Sequence, residues 1–429
     1  MAFLAVILVP LVLSVGAGGA AGFTVELSTS LGVLAASVLV CVVILPSRLR
    51  SLTSTFGIER VLLSHRTLGL LALVLVLGHL AVLIVHDPHN ASLLVPWTAP
   101  PRARAATAAT GAMLAMCLLA VFRRRLGHRY ELWRWAHVVL GIVVVVGSAL
   151  HVYWLNHLTQ DQAMRRWFEL AIGIVALVFG YRWVGGPMLA MRRAYVIDEV
   201  RHESDSVSTL ALRPLRPRHR GLSFDPGQFA WIRLDRSMGP REEHPFTIAS
   251  GAHRPRELEF TIRHAGDYTG MLARLVPGRR VYVDGPHGTF TVDARRANGL
   301  VLIAGGVGIT PMMSMLRTLE HRRDRRRHVL VTAARNAEDL LFRDEIARLS
   351  STLTLTVVEV VSAPEPDWRG QRGRVDADLL ASVLPRRRDS GRFDVFICGP
   401  GPMVNGVLTA LDTVGVPAAR IHTEQFDMA

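Results

Sequence analysis

Lysine is absent from this chain of 429 residues, so all 49 positions counted as lysine or arginine are arginine. That excludes lysine Schiff-base chemistry and a Walker-type phosphate loop, which needs its lysine. Cysteine is nearly absent: Cys41, Cys117 and Cys398 are too few and too scattered for a disulfide framework or a zinc site. Aromatic residues are only 7% of the chain and do not interleave with the basic ones. The net charge of +14 therefore does not form a nucleic-acid surface. The arginines instead flank apolar runs or scatter through the second half, as in 322–327.

Half of the residues are hydrophobic, and they are unevenly placed. The first ~190 residues read as six apolar spans, at 2–20, 30–45, 61–85, 106–122, 132–155 and 167–184. The first ends in small residues, as a signal peptide does, but lacks a positive n-region, so a retained span is expected. Arg48, Arg50 and Arg60 follow the second span, Arg123, Arg124, Arg125 and Arg129 the fourth, and Arg192 and Arg193 the sixth. The opposite loops hold only Arg102, Arg104, Arg165 and Arg166. The positive-inside rule then puts both termini in the cytoplasm.

Two of these spans carry histidines at one shared spacing: His65 and His79 in the third, His137 and His151 in the fifth. Fourteen residues at 1.5 Å rise separate the rings of each pair by ~21 Å on nearly one helix face. That is most of a ~30 Å hydrocarbon core. Polar side chains at such depth are costly and mark function. The simplest reading is two stacked b-type haems, each gripped by one histidine from each helix. Hydrogen bonding between helices and a proton path are the alternatives. His65 and His137 fall at the inner depth, His79 and His151 at the outer. Gly69, Gly78, Gly141 and Gly147 on the same helices admit either a flat macrocycle or close helix packing. Arg66 and Arg134 lie near the inner pair, as partners for haem propionates or as interfacial anchors. His86, His89 and His157 fall at the outer ends and loops, as solvated histidines or as handlers of an external metal or acceptor.

From about residue 194 strands take over, at 194–200, 207–213, 228–234, 257–263 and 280–283, as in a small antiparallel barrel. From residue 300 strands at 300–304, 327–333, 353–360 and 394–398 alternate with helical stretches, as in a parallel sheet. The first part contains His244-Pro245-Phe246-Thr247, then Arg263-His264-Ala265-Gly266-Asp267-Tyr268-Thr269-Gly270. A helix is expected at 271–275 with Thr269 as its cap, offering N–H groups to a pyrophosphate. The second part opens with Gly305-Gly306-Val307-Gly308-Ile309-Thr310-Pro311, a strand running into glycines and a helix, which suits a dinucleotide. Arg335, where the next strand ends, suits a 2′-phosphate. The last strand runs into Cys398-Gly399-Pro400, and Phe426 stands near the chain end.

Together these residues resemble the ferric reductase and NADPH oxidase superfamily, a ferric reductase-like transmembrane domain joined to a ferredoxin–NADP reductase module. The resemblance runs from about residue 61 to 426. It implies a multidomain protein: a six-helix transmembrane haem bundle over 1–190, an antiparallel β-barrel FAD domain over 191–292, and a Rossmann-like α/β nucleotide-binding domain over 293–429. It implies His65, His79, His137 and His151 as haem b ligands. His244, Pro245, Phe246 and Thr247 become the flavin motif, with Thr247 near the isoalloxazine. Arg263, Gly266, Tyr268 and Thr269 become the FAD phosphate region. Gly305, Gly306, Gly308 and Pro311 form the nicotinamide-dinucleotide loop, and Arg335 reads the NADPH phosphate. Cys398, Gly399 and Pro400 lie beside the nicotinamide, and Phe426 covers the flavin.

The implied activity is electron transfer from cytoplasmic NADPH through FAD and two haems b to a ferric or cupric chelate or dioxygen outside the cell membrane. The alternatives are delivery to a quinone or to a membrane or periplasmic protein, and, from another class, a transporter or proton channel. The lipid bilayer is the implied surrounding, and nucleic acid is not a partner. Three residues follow Phe426, where the family often ends on that aromatic. The outer loops are short and show no acceptor site, and no EF-hand-like loop is visible.

Overall fold

A computed structural model of the chain describes residues 2–17, 22–47, 49, 56–122, 130–192, 194–234, 243–272, 274–292, 297–384 and 393–425. Arg48, Arg50, Arg123, Arg124, Arg125, Arg129, Arg193 and Phe426 lie outside these residues. The chain divides into two units, Met1–Met188 and Leu189–Ala429.

The first unit is helical. Its main helices are α1 (Ala2–Ala17), α2 (Phe23–Ile44), α3 (Ile58–His86), α4 (Pro101–Val121), α5 (Tyr130–Leu155) and α6 (Gln162–Gly180). Five of the described helices are long and apolar enough to cross a membrane. The expected first span is the sixteen-residue helix α1, about 24 Å long. α2 packs along α3, and α4 along α5. The common core is small: Ala35, Val38 and Val42 of α2, Ala72 and Leu75 of α3, Ala112 and Met113 of α4 and Val144 of α5. Large apolar side chains such as Leu63, Val74, Val139, Val146 and Leu177 face outward instead. That is the inverse of a water-soluble bundle and what a hydrocarbon solvent favours.

The second unit holds two sheets. The first is six-stranded and antiparallel, in the order β4-β3-β6-β1-β2-β5. Its strands are β1 (Tyr195–Ser204), β2 (Val207–Pro214), β3 (Phe229–Leu234), β4 (His244–Thr247), β5 (Leu258–Arg263) and β6 (Arg280–His287). Just beyond β4, Ala249 N–H donates to Glu259 O of β5, tying together the two edges of the sheet. Alternating inward residues build its core, among them Tyr195, Ile197, Leu210, Ile232, Phe260 and Val281. Thr269 does not cap a later helix as expected. The helix, α7, is Asp267–Leu272, and Thr269 lies inside it.

The second sheet is parallel, in the order β10-β9-β8-β7-β11-β12. It contains β7 (Gly299–Gly305), β8 (Arg327–Ala334), β9 (Leu355–Val361), β10 (Gln371–Arg372), β11 (Phe393–Gly399) and β12 (Ile421–Gln425). β7 and β11 are buried along their whole length, as central parallel strands are when helices cover both faces. One face is covered by α8 (Ile309–His321) and α9 (Arg343–Thr352), with Met312, Met313, Met315 and Leu316 wholly buried. The other is covered by α10 (Ala377–Val383) and α11 (Gly401–Thr413), through Leu380, Val404 and Val407. Chain order reverses around β7, which has β8 on one side and β11 on the other. A crevice therefore opens beyond the carboxyl ends of β7 and β11, where open α/β sheets take their ligands.

Candidate functional site

The four paired histidines, His65, His79, His137 and His151, are held by specific partners. His65 Nδ1 lies 2.9 Å from Val42 O, His79 Nδ1 2.7 Å from Ser28 O, and His151 Nδ1 3.0 Å from Arg102 O. A carbonyl only accepts, so in each ring Nδ1 carries the hydrogen and Nε2 the lone pair. That is the tautomer of a metal-ligating imidazole, oriented by its second nitrogen. His79 is gripped further: Ser28 Oγ sits 3.1 Å from Nδ1 and donates to His79 O at 3.3 Å. Gly32 makes room for it, since a Cβ there would stand 3.2 Å from His79 Nδ1.

His137 is held differently. Its ring stacks on Trp133 at 5.4 Å, and its buried Nδ1 has no hydrogen-bond partner among the described residues. It faces His65 with ring centroids 6.1 Å apart. Imidazole–metal bonds are about 2 Å, so two rings that share one metal ion on opposite sides stand about 6 Å apart. Gly69 and Gly141, one turn beyond His65 and His137, each have nothing within 4 Å of a Cβ position. Gly147 instead serves close packing, because a Cβ there would meet Ala105 O at 2.9 Å. The inner pair thus fits a bis-imidazole haem site with open space beside it. No cluster of three or more protein ligands for a bare metal ion exists among the described residues.

In the second unit the two flavin-type motifs come together. β4 carries His244, Pro245, Phe246 and Thr247, and the His244 ring lies 4.2 Å from that of Tyr268 in α7. Tyr268 Oη donates to Ile232 O of β3 at 3.2 Å, which fixes the stack over the sheet. Thr247 Oγ1 is buried and has no hydrogen-bond partner among the described residues. Such a hydroxyl costs about 1–3 kcal/mol unless a ligand pairs with it. Thr269 Oγ1 accepts from the N–H groups of Ala265 and Gly266, at 2.9 and 3.0 Å. Thr269 thus braces the loop that leads into α7. Arg263 stays exposed at the end of β5.

The glycine turn and the last-strand motif also meet. A Cβ on Gly308 would stand 2.2 Å from Cys398 O, and one on Gly305 2.2 Å from Met403 Sδ. These two glycines therefore let the β7 and β11 turns touch. Gly306 is different: its φ is +53°, and nothing lies within 4 Å of a Cβ position. It is the open face of the turn, from which α8 begins and where Pro311 occupies the first helical turn. Arg335 lies just beyond β8, two residues past Ala333, the register partner of Gly305. It is exposed, and its guanidinium has no hydrogen bond or ion pair to a described residue.

Cys398 is wholly buried and lies opposite Glu424 in the β11–β12 register. Burial, and after it the Glu424 carboxylate, pushes its thiol well above the ordinary range, so it is a neutral group. Glu424 also comes 4.0 Å from the Cβ position of Gly288 at the end of β6, so it lies where the two halves of this unit meet. Glu424 carries no local signal of a role, because its neighbours Cys398 and Gly288 are distant in the chain.

Comparison with known proteins finds three domain families along the chain. The family described as ferric reductase like transmembrane component matches residues 31–148, the FAD-binding domain 202–291, and the oxidoreductase NAD-binding domain 302–409. Ferredoxin–NADP reductase B of Sorangium cellulosum is 34% identical over 236 residues, covering 51% of this chain and 96% of that protein. The reductase component of propane 2-monooxygenase from Rhodococcus jostii is 31% identical over 225 residues, 51% of this chain and 60% of that protein. The chain thus spans under two thirds of the first curated relatives it matches, 60% and 58% of their lengths. The solved flavohemoglobin of Malassezia yamatoensis shares the fold, at 17% identity and a TM-score of 0.51 over 93% of this chain and 97% of that one.

Fold and sites define an NAD(P)H-dependent oxidoreductase with FAD- and nicotinamide-binding domains. The chain belongs to the ferredoxin–NADP reductase type of these enzymes, fused to a ferric reductase-like transmembrane domain as in the ferric reductase and NADPH oxidase superfamily.

Proposed function

We propose that this chain takes electrons from NADPH in the cytoplasm, collects them on FAD and passes them through two b-type haems to an acceptor outside the cell membrane. The acceptor is a ferric or cupric chelate or dioxygen. The observation that supports this most is the shared orientation of His65, His79 and His151. Each donates Nδ1–H to a main-chain carbonyl and so offers Nε2 as a ligand atom. His65 and His137 would hold the inner group, His79 and His151 the outer. Bis-imidazole haem is a one-electron carrier suited to an apolar interior, and a flavin lets a two-electron donor feed it singly.

The soluble residues bind and orient. Thr247 offers its buried hydroxyl to the isoalloxazine, and the His244–Tyr268 stack forms a wall of that site. Arg263, Gly266 and Thr269 frame the FAD phosphates. Gly306 lets the dinucleotide approach main chain, with Pro311 in the first turn of the helix behind it. Arg335 grips the 2′-phosphate, and Cys398, Gly399 and Pro400 border the nicotinamide. Phe426 shields the flavin. The domains in this reading are 1–190, 191–292 and 293–429, with both termini cytoplasmic.

The test is an absorption spectrum of the purified, haem-supplied protein before and after NADPH. Ferric chelate reduction is then assayed with and without superoxide dismutase. Low-spin haem bands that reduce with NADPH, and chelate reduction that survives dismutase, are expected. A flavin-loaded protein without haem bands would overturn the reading.

A further inference from the structure

Ser314, Arg317, Thr318 and His321 recur along α8 at a spacing that puts them on one helix face. All four engage the segment 249–253, which follows the β4 motif. Ser314 Oγ donates to Ser250 O at 2.8 Å, and Arg317 Nη1 to Ala249 O at 2.9 Å. Thr318 Oγ1 accepts from Ala252 N–H at 2.9 Å. The His321 ring stacks on His253 at 4.0 Å, with planes 5° apart.

Arg317 is the hub. Its Nη1 also reaches Glu259 Oε2 of β5 at 2.7 Å, and its Nε and Nη2 clasp Glu345 of α9 at 2.8 and 2.7 Å. Glu259 is shared with Arg201 of β1 at 2.6 Å. Burial alone would raise the Glu345 carboxyl; the Arg317 guanidinium overrides it and holds it below the usual range. The Arg317 side chain is only 13% exposed. Paired charges at such depth are weak evidence of stability but demand specific geometry.

The placement gives the network a use. α8 begins at the glycine turn and is about 20 Å long, while segment 249–253 begins two residues after Thr247. One stiff helix thus joins the nicotinamide side to the flavin side. We propose that this polar stripe, with Arg317 as its positioning residue, sets the alignment of nicotinamide and flavin for hydride transfer. In that step a hydride, one proton with two electrons, leaves the reduced nicotinamide and is taken up by the flavin. The nicotinamide is oxidised and the flavin reduced. An apolar contact could slide; directional hydrogen bonds fix the rotation and height of α8. A displacement of about 1 Å costs such a reaction up to about 10²-fold. The proposal stands whether or not haem is present, because it concerns the soluble module alone.

The test uses the full chain loaded with FAD and carrying Arg317→Met, a substitution close in volume and without charge. In stopped flow at saturating NADPH, the limiting rate of flavin reduction is expected to fall at least ~10-fold. NADP⁺ affinity by equilibrium titration should stay within ~2-fold and FAD content should not change. Amide exchange in 249–253 should speed up, while that of β7 and β8 holds. Ser314→Ala, which leaves the charges intact, should slow reduction by a smaller factor and keeps the test open if Arg317→Met does not fold. A limiting rate unchanged in the folded variants, or unchanged exchange at 249–253, would overturn the proposal.

Discussion

The imidazole of His244 and the phenol of Tyr268 lie 4.2 Å apart, joining a strand to a helix that the chain reaches only after crossing the sheet. Their contact makes one wall from two motifs, and Tyr268 is pinned there by Ile232 O. Tyr268→Phe should lose that hydrogen bond, about 1 kcal/mol, and keep FAD. Tyr268→Ala should open the wall and lower the FAD-to-protein ratio after gel filtration. Full flavin content in the alanine variant would show that the stack does not line the flavin site.

Arg335 stands exposed beside the glycine turn. A guanidinium can grip a phosphate with two parallel hydrogen bonds. Arg335→Ala should raise the Michaelis constant for NADPH by roughly 10-fold or more, a loss of about 1.4 kcal/mol or more, and leave NADH little changed. Equal effects on the two nucleotides would remove the 2′-phosphate from the account.

Four histidines in two pairs predict two haems per chain. His79→Ala and His137→Ala should each lower the haem-to-protein ratio, measured as the pyridine complex, from about two to about one. Flavin reduction by NADPH should continue in both. A ratio near one in the fully loaded parent would count against the paired arrangement.

His253 titrates abnormally. Its burial first, then the facing His321 and Arg254, lower its affinity for a proton, against the opposing pull of Glu320 and Glu257. The folded value lies below the unfolded one, so the unfolded chain binds more protons between them. Stability from this site is full while the ring is neutral in both states. It declines as pH falls through the ordinary imidazole value of about 6.5. The temperature of flavin release should drop between about pH 7.5 and about pH 5.5, and His253→Asn should drop less. An equal drop in both would assign the acid sensitivity elsewhere.

Much of this was legible in the chain because the signals are local. Apolar runs gave the helices, and the strand–glycine–helix pattern at 302–311 gave the turn. The shared spacing of fourteen residues sets the four histidines apart in the sequence. The shortest elements were not legible. β12 and β10 have five and two residues, too few for a periodic signal. α7 began earlier than expected, because the Thr269 hydroxyl turns back to the preceding loop. Nor could the Arg317 network be read: Glu259 and Glu345 are distant in sequence, and an arginine carries no mark of its partner in a chain with so many.

Val42 and Ser28 both belong to α2, a helix without a histidine, yet their carbonyls orient both imidazoles of α3. α2 supplies main chain at both heights, and at His79 the Ser28 hydroxyl and the bare Gly32 as well. At position 42 any residue that keeps the helix in place would serve as well as valine. The constraint that α2 places on both imidazoles at once is its axial position, and substitutions that slide or tilt the helix would retune the two together while leaving each histidine untouched.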